Sequence, residues 1–126
     1  MLVDRACPQG GWNAGNSVVF GISLDPHPDF TAMAVLALRG SGATHEILLR
    51  RSLNYLATRL DGSSSSYSLA WAVMALSANG HPGVDHLKHR LERYAAAKVD
   101  NLPHRVLALV ALALEDLPYT FEEPSR

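Results

Sequence analysis

Cysteine is nearly absent from this sequence of 126 residues, and so are long apolar runs. With a single cysteine, Cys7, no internal disulfide can form, which fits a reducing compartment. The longest strongly apolar stretch, Val106 to Leu114, is well short of the roughly 20 residues that span a bilayer. The N-terminus shows no charged leader followed by an apolar core. We therefore predict a cytoplasmic protein without a transmembrane segment.

An excess of either charge is also missing. The chain has 11 Lys and Arg residues against 12 Asp and Glu residues, so nucleic acid is not an expected partner. Glycine-rich phosphate loops are absent, and no cofactor is predicted. His86 and His89 have the spacing of a metal-binding pair on a helix, but no third ligand is evident. A solvated helix face is the favoured interpretation of this pair, and no metal is predicted.

What the sequence contains is an apolar segment that recurs every 38 residues. Its three copies share alanine and leucine positions and lie at Thr31–Leu38, Leu69–Leu76 and Leu107–Leu114. A fixed period of this length indicates stacked helical hairpins, because one hairpin cannot bury its apolar face alone. We predict an all-α fold, a solenoid arc of hairpins, in a single domain over residues 1–126.

The pattern of apolar and charged residues predicts five helices in two layers. They are expected at 30–39, 44–60, 67–78, 84–99 and 104–115. The first, third and fifth are apolar all round and form the inner layer, whereas the other two are amphipathic and cover them. Residues 7–28 form a long loop, residues 117–126 a polar tail, and residues 1–6 the last turn of a helix. No strand is predicted.

The loop and the first inner helix resemble a known family. Cys7–Asn16 contains a Gly-Gly-Trp turn, and Pro26–Leu38 continues into an alanine- and leucine-rich helix. Both segments resemble the prenyltransferase and squalene-cyclase repeat family. The resemblance implies an α/α toroid, a partial (α/α)6 barrel here, around a cavity that accepts isoprenoid chains. Since the chain holds about two and a half hairpins, we expect a C-terminal piece of a larger toroid, or an arc that self-associates through its open repeat ends.

The resemblance also implies a catalytic candidate. The acid motif of protonating cyclases, Asp-x-Asp-Asp-Thr-Ala, falls on His27–Ala32, where Asp29 is the one motif aspartate present. Ala6 stands at the glutamine of the family's Gln-x3-Gly-x-Trp motif, and the Asp-x-Cys pair of zinc-dependent prenyltransferases is missing. An ordinary helix cap is the favoured alternative for Asp29. Enzymatic activity, as an isoprenoid cyclase or prenyltransferase, is therefore left open.

Further residues on the inner helices and in the loop are candidates for a cavity or for structural roles. Tyr67 and Trp71, on an inner helix, are candidates for the cavity wall, with core packing as the favoured alternative. His104 begins the last inner helix and is a candidate for the cavity mouth, with a plain surface position as the alternative. Gly10, Gly11 and Trp12 are predicted to form a structural clasp, because the glycines permit a tight turn and the indole packs on neighbouring helices.

Two functions follow from these observations. The leading hypothesis is a repeat domain of the cyclase and prenyltransferase type that binds an apolar isoprenoid chain between its inner helices and is not catalytic by itself. The competing hypothesis is a non-enzymatic α-helical repeat scaffold that binds protein partners on its surface.

Overall fold

The computed structural model describes residues 2–62 and 64–115, and this part of the chain is mostly helical. Its α-helices are α1 (Pro28–Ala37), α2 (Glu46–Arg59), α3 (Ser66–Ala78), α4 (Val84–Lys98) and α5 (His104–Leu114). The predicted all-α class is confirmed, and each helix lies within two residues of its predicted bounds. The predicted tail at 117–126 lies outside the described residues.

The helices repeat with the period found in the sequence. α1, α3 and α5 begin at Pro28, Ser66 and His104, and α2 and α4 begin at Glu46 and Val84. Each start therefore lies 38 residues after the previous start in its own series. Residues one period apart occupy equivalent places on equivalent helices, which allows their environments to be compared directly.

Helix α3 is the centre of the molecule. It contacts each of the other four helices, with α1 and α5 beside it and α2 and α4 against the same inner helices. Ala70, Ala72, Val73, Ala75 and Leu76 of this helix are completely buried. Small side chains on several sides of α3 let its neighbours approach closely, so α1 and α5 pack directly against it.

The amphipathic helices α2 and α4 cover the inner layer with leucine. Leu56, Leu87 and Leu91 are buried at 1% exposure or less. The opposite faces carry charge, including an exposed ion pair of 2.7 Å between Arg50 and Glu46, one turn apart on α2. No helix in the described part of the chain is both long and apolar enough to cross a membrane.

The prediction that the chain contains no strand is wrong. The long loop contains two short antiparallel strands, β1 (Val18–Val19) and β2 (Ile22–Ser23), which pair as a hairpin. Phe20 and Gly21 form its turn with φ values of 51° and 77°, the left-handed geometry of a tight hairpin. Its β-branched residues favour extended backbone. The side chain of Phe20 is fully exposed, so the hairpin adds nothing to the core.

The start of α1 also differs from the prediction. Asp29 was expected to cap the helix, but His27 is the N-cap residue and Pro28 occupies the first helical position. Proline is favoured there because its φ is already helical and its missing N–H costs no hydrogen bond. Asp29 then lies in the first turn, where its negative charge stabilises the helix dipole. Upstream, a 3-10 turn at Val3–Arg5 stands where the last turn of an α-helix was expected.

Candidate functional site

Two buried glycines hold the N-terminal loop against the helices. Gly10 and Gly11 have φ values of 98° and 84°, which side chains rarely allow. A Cβ on Gly10 would lie 2.8 Å from Cβ of Arg51, and one on Gly11 would lie 2.6 Å from Cβ of Pro26. Both positions therefore require glycine, for backbone geometry and for space. The Gly11 N–H donates a hydrogen bond of 2.9 Å to the hydroxyl of Ser52 on α2.

Trp12 connects this loop to α1 and to the N-terminal segment. Its backbone N–H donates to Oγ1 of Thr31 at 3.0 Å, and the Thr31 hydroxyl donates back to the Trp12 carbonyl at 3.2 Å. The indole Nε1 donates to the carbonyl of Leu2 at 2.8 Å, and the side chain is 3% exposed. The structure thus places Gly10, Gly11 and Trp12 together at the contact between the loop and the first hairpin.

The loop and α1 enclose an apolar groove, which we call the α1 groove. It has a volume of about 360 Å³. Its apolar walls are formed by Leu2, Trp12, Phe30, Met33, Ala34 and Ala37. Arg5 and Asn13 supply polar groups at the wall. Phe30 is 41% exposed although it is aromatic, and Ala37 is exposed as well. The groove therefore offers apolar surface on the side of α1 that carries the i, i+3, i+7 residues Phe30, Met33 and Ala37.

A second, more polar cleft, which we call the Tyr55 cleft, lies between the loop and α2, and sequence reasoning missed it. Gln9, Asp25, Pro26, Tyr55 and Arg59 line this space of about 280 Å³. The Tyr55 hydroxyl donates a hydrogen bond of 2.6 Å to the carbonyl of Pro26. Because Asp25 and Tyr55 lie far apart in the sequence and belong to no common motif, no local signal could have joined them.

Burial raises the pKa of Tyr55, and the negative charge of Asp25 raises it further. The pKa of the Cys7 thiol is likewise raised by burial and then by Asp25. Raised values keep both groups protonated at neutral pH, and a protonated thiol or phenol is a poor nucleophile. Neither the Tyr55 phenol nor the Cys7 thiol is therefore activated as a nucleophile.

The structure does not bring the candidates Asp29 and His104 together. Asp29 is half-buried in the first turn of α1 and lines neither the α1 groove nor the Tyr55 cleft. His104 is exposed at the first position of α5. Asp29 and His104 thus occupy the starts of two inner helices that lie on opposite sides of α3.

Tyr67 and Trp71 form a pair on α3. Their rings meet edge to face with centroids 6.4 Å apart, and Tyr67 is 37% exposed. The indole Nε1 of Trp71 is buried and has no hydrogen-bond partner among the described residues. Neither residue lines the α1 groove or the Tyr55 cleft. Their role as a cavity wall stays a prediction.

Metal-ligand chemistry has little basis in the described residues, which include no group of three or more His, Cys, Asp or Glu side chains that could hold an ion. Of the histidine pair noted in the sequence, His89 has its Nδ1 4.0 Å from a carboxylate oxygen of Glu92 on the same exposed face of α4. Both histidines are exposed, as expected for a solvated helix face.

Comparison of the chain with protein-family models, curated proteins and solved structures gave no match. The resemblance to the prenyltransferase and squalene-cyclase repeat family accordingly stays a prediction from the residues at 7–38.

Proposed function

We propose that the protein is a non-catalytic α-helical repeat scaffold that binds further helices along the exposed flanks of its inner layer. The observation that carries this proposal is a difference in burial between equivalent residues. α3 has an inner helix on each side, whereas α1 and α5 each have α3 on one side. Comparing residues one period apart identifies the flank that each helix presents to the next.

The flank that α3 presents to α5 consists of residues that are buried in α1 and α3 but exposed in α5. Ala32 and Ala70 are completely buried, while Ala108 is exposed. Likewise, Val35 and Val73 are completely buried, while Ala111 is exposed. α5 therefore carries the same flank at the equivalent positions, but in α5 this flank is exposed.

The opposite flank follows the reverse order. Ala75 of α3 is completely buried and Ala113 of α5 is 2% exposed, whereas Ala37 of α1 is exposed. Ala37 lines the α1 groove together with Phe30 and Met33. α3 packs against α1 through this flank, and α5 packs against α3 through the equivalent flank. The α1 groove is thus the position at which an inner helix preceding α1 would pack. An apolar groove shaped by this repeat favours a helix as its occupant.

Lengthening the repeat tests this proposal. A second copy of residues 66–103 would be inserted between Pro103 and His104 of the full chain, which adds one 38-residue hairpin in register. We expect the urea midpoint and the m-value both to rise in a single transition, because each added repeat contributes a new interface and buries more surface. Circular dichroism during urea titration measures both.

The control is a glycine- and serine-rich insert of the same length at the same place, which adds a loop without an interface and should not raise the midpoint. If the duplicated hairpin gave no more stability than this loop, or unfolded in a separate transition, the inner layer would not accept further helices and the scaffold proposal would fail.

A second candidate function is the binding of an isoprenoid chain. The family resemblance implies such a ligand between the inner helices, and we propose the α1 groove as its place in this chain. The groove favours it, because about 360 Å³ of mainly apolar space is the size of a small-molecule site. A closed α/α toroid of the cyclase and prenyltransferase type would be its wider setting.

For this candidate we expect an isoprenoid alcohol such as farnesol to raise the melting temperature, since a ligand that binds the folded state alone stabilises it. Ala37→Trp, which fills the groove, should remove the shift, while Ala97→Trp on the exposed face of α4 should retain it. An unchanged melting temperature at saturating farnesol argues against an isoprenoid site.

A further inference from the structure

We infer that the helix received by the α1 groove is α5 of a second copy of this chain, so that copies associate head to tail. This inference rests on the proposed scaffold function and names the partner. A helix that fills the α1 groove must carry the flank through which α1 packs against α3 and α3 packs against α5. Within the described chain, α5 is the helix on which that flank is exposed.

The exposed flank of α5 has the shape and polarity that the groove requires. It consists of His104, Ala108, Ala111 and Leu112, at i, i+4, i+7 and i+8. Leu112 is 46% exposed, whereas its equivalent in α3, Met74, is 9% exposed. Ala108, Ala111 and Leu112 are all apolar, as are the residues at the equivalent α3 positions. Two of those α3 residues, Ala70 and Val73, are completely buried within the molecule.

Charge favours the same pairing. Asp29, Tyr67 and Arg105 are one period apart and occupy equivalent positions near the starts of α1, α3 and α5. If α5 of one copy packed beside α1 of the next as α1 packs beside α3, Arg105 and Asp29 would lie side by side at the same level of adjacent helices. Packed helix axes are about 8–10 Å apart, within reach of the long arginine side chain. Opposite charges therefore meet at the predicted contact.

The contact joins two different surfaces. When two copies associate, the pair therefore retains an unoccupied α1 groove at one end and an unoccupied α5 flank at the other. A heterologous contact of this kind produces a ring if its rotation closes and an open chain of copies if it does not. It does not end at a two-fold dimer. This distinguishes it from an association in which two grooves, or two apolar hairpins, meet face to face.

Sedimentation velocity of the full chain over a wide concentration range tests the inference. We expect the mean mass to rise with concentration beyond that of a dimer. Ala37→Glu in the groove and Ala111→Glu on α5 should each hold the protein at the monomer mass, because each buries an unpaired carboxylate in the contact. Ala97→Glu, on the exposed face of α4, is the matched control and should associate like the wild type.

Mixing the two blocked variants gives the decisive reading. The Ala37→Glu chain retains its α5 flank and the Ala111→Glu chain retains its groove, so an equimolar mixture should form one-to-one dimers and nothing larger. Circular dichroism verifies that each variant is folded. If either carboxylate variant unfolds, Ala37→Gln and Ala111→Gln replace them, since they add bulk without charge.

A charge exchange examines the Asp29–Arg105 contact. Asp29→Arg or Arg105→Asp alone should weaken association by about fivefold at low ionic strength, and the double variant should restore it, because an exposed ion pair contributes up to about 1 kcal/mol. Failure of the double variant to recover would overturn the predicted register.

A wild-type chain that stays monomeric at all concentrations would overturn the second-copy inference. So would association that survives Ala111→Glu, or blocked variants that do not pair when mixed. The lengthened repeat separates these results from the scaffold proposal: if the inserted hairpin stabilises the chain while the wild type stays monomeric, the flanks accept helices but α5 of a second copy is not the occupant.

Discussion

At the scale of single residues, the contact between the N-terminal loop and the first hairpin depends on positions where a Cβ does not fit and on buried hydroxyls. The hydroxyl of Ser52 accepts from Gly11 N–H and donates to the Leu48 carbonyl at 2.8 Å, so it satisfies a loop amide and stays satisfied itself. Thr31 does the same for both backbone groups of Trp12. Buried polar groups that lose such partners cost about 1–3 kcal/mol each.

Gly11→Ala should destabilise the protein by roughly 2–5 kcal/mol, since it combines a strained positive φ with a Cβ placed 2.6 Å from Pro26. Gly15→Ala is the matched control, because a Cβ there meets nothing within 4 Å, and its effect should stay within about 1 kcal/mol. Urea unfolding measures both variants. Equal stability of the two would show that the loop does not need its tight turn.

The clasp could be predicted in part. A Gly-Gly-Trp sequence followed by an apolar helix indicated a tight turn with a packed indole. In the structure, both glycines have positive φ values and the Trp12 side chain is buried. Thr31 and Ser52 carried no signal of their role, because their partners lie 19 and 41 residues away and only folding brings them near. The Tyr55 cleft was missed for the same reason.

At the scale of elements, a helix was predictable wherever its periodicity ran over several turns and its ends carried ordinary signals. α3 is an example: the hydroxyl of Ser65 accepts a hydrogen bond of 3.2 Å from the N–H of Ser68, as a serine N-cap does. The two strands were missed because two residues are too few to show an alternating pattern. The start of α1 was misplaced because Pro28 and Asp29 are both favoured near a helix N-terminus, and proline took the first position.

Ser65→Ala should lower the free energy of unfolding by about 1 kcal/mol, because the first turn of α3 loses its cap and α3 is packed against every other helix. Ser64→Ala, one residue before the cap, is the control and should leave stability within about 0.5 kcal/mol of the wild type. Thermal unfolding followed by circular dichroism compares them. A larger effect at Ser64 than at Ser65 would contradict the assigned cap.

At the scale of the whole molecule, we predict that α3 makes the chain unfold as one cooperative unit. Its Leu76 is completely buried, and α3 contacts the helices of both layers. Leu76→Ala should cost about 2–5 kcal/mol by leaving a cavity. Leu24→Ala, where the side chain is 39% exposed, should cost far less.

Cooperativity is read from two signals. In a Trp71→Phe background, fluorescence reports Trp12 in the loop while circular dichroism reports the helices, and both should move to the same lower midpoint in the Leu76→Ala variant. If the Trp12 signal kept its wild-type midpoint, the loop and the helices would unfold separately, and α3 would not be the element that unites them.

From the sequence alone came the helices, their 38-residue spacing and their division into apolar and amphipathic kinds, because periodicity and composition are local properties that each segment expresses by itself. Which flanks of the inner layer stay exposed was decided only by tertiary structure. Ala70 and Ala108 are the same residue in the same repeat position, yet one is buried and the other exposed, since burial depends on whether a neighbouring helix is present. The exposed flank of α5 arises from that difference, and the α1 groove arises from the matching difference between exposed Ala37 and buried Ala75.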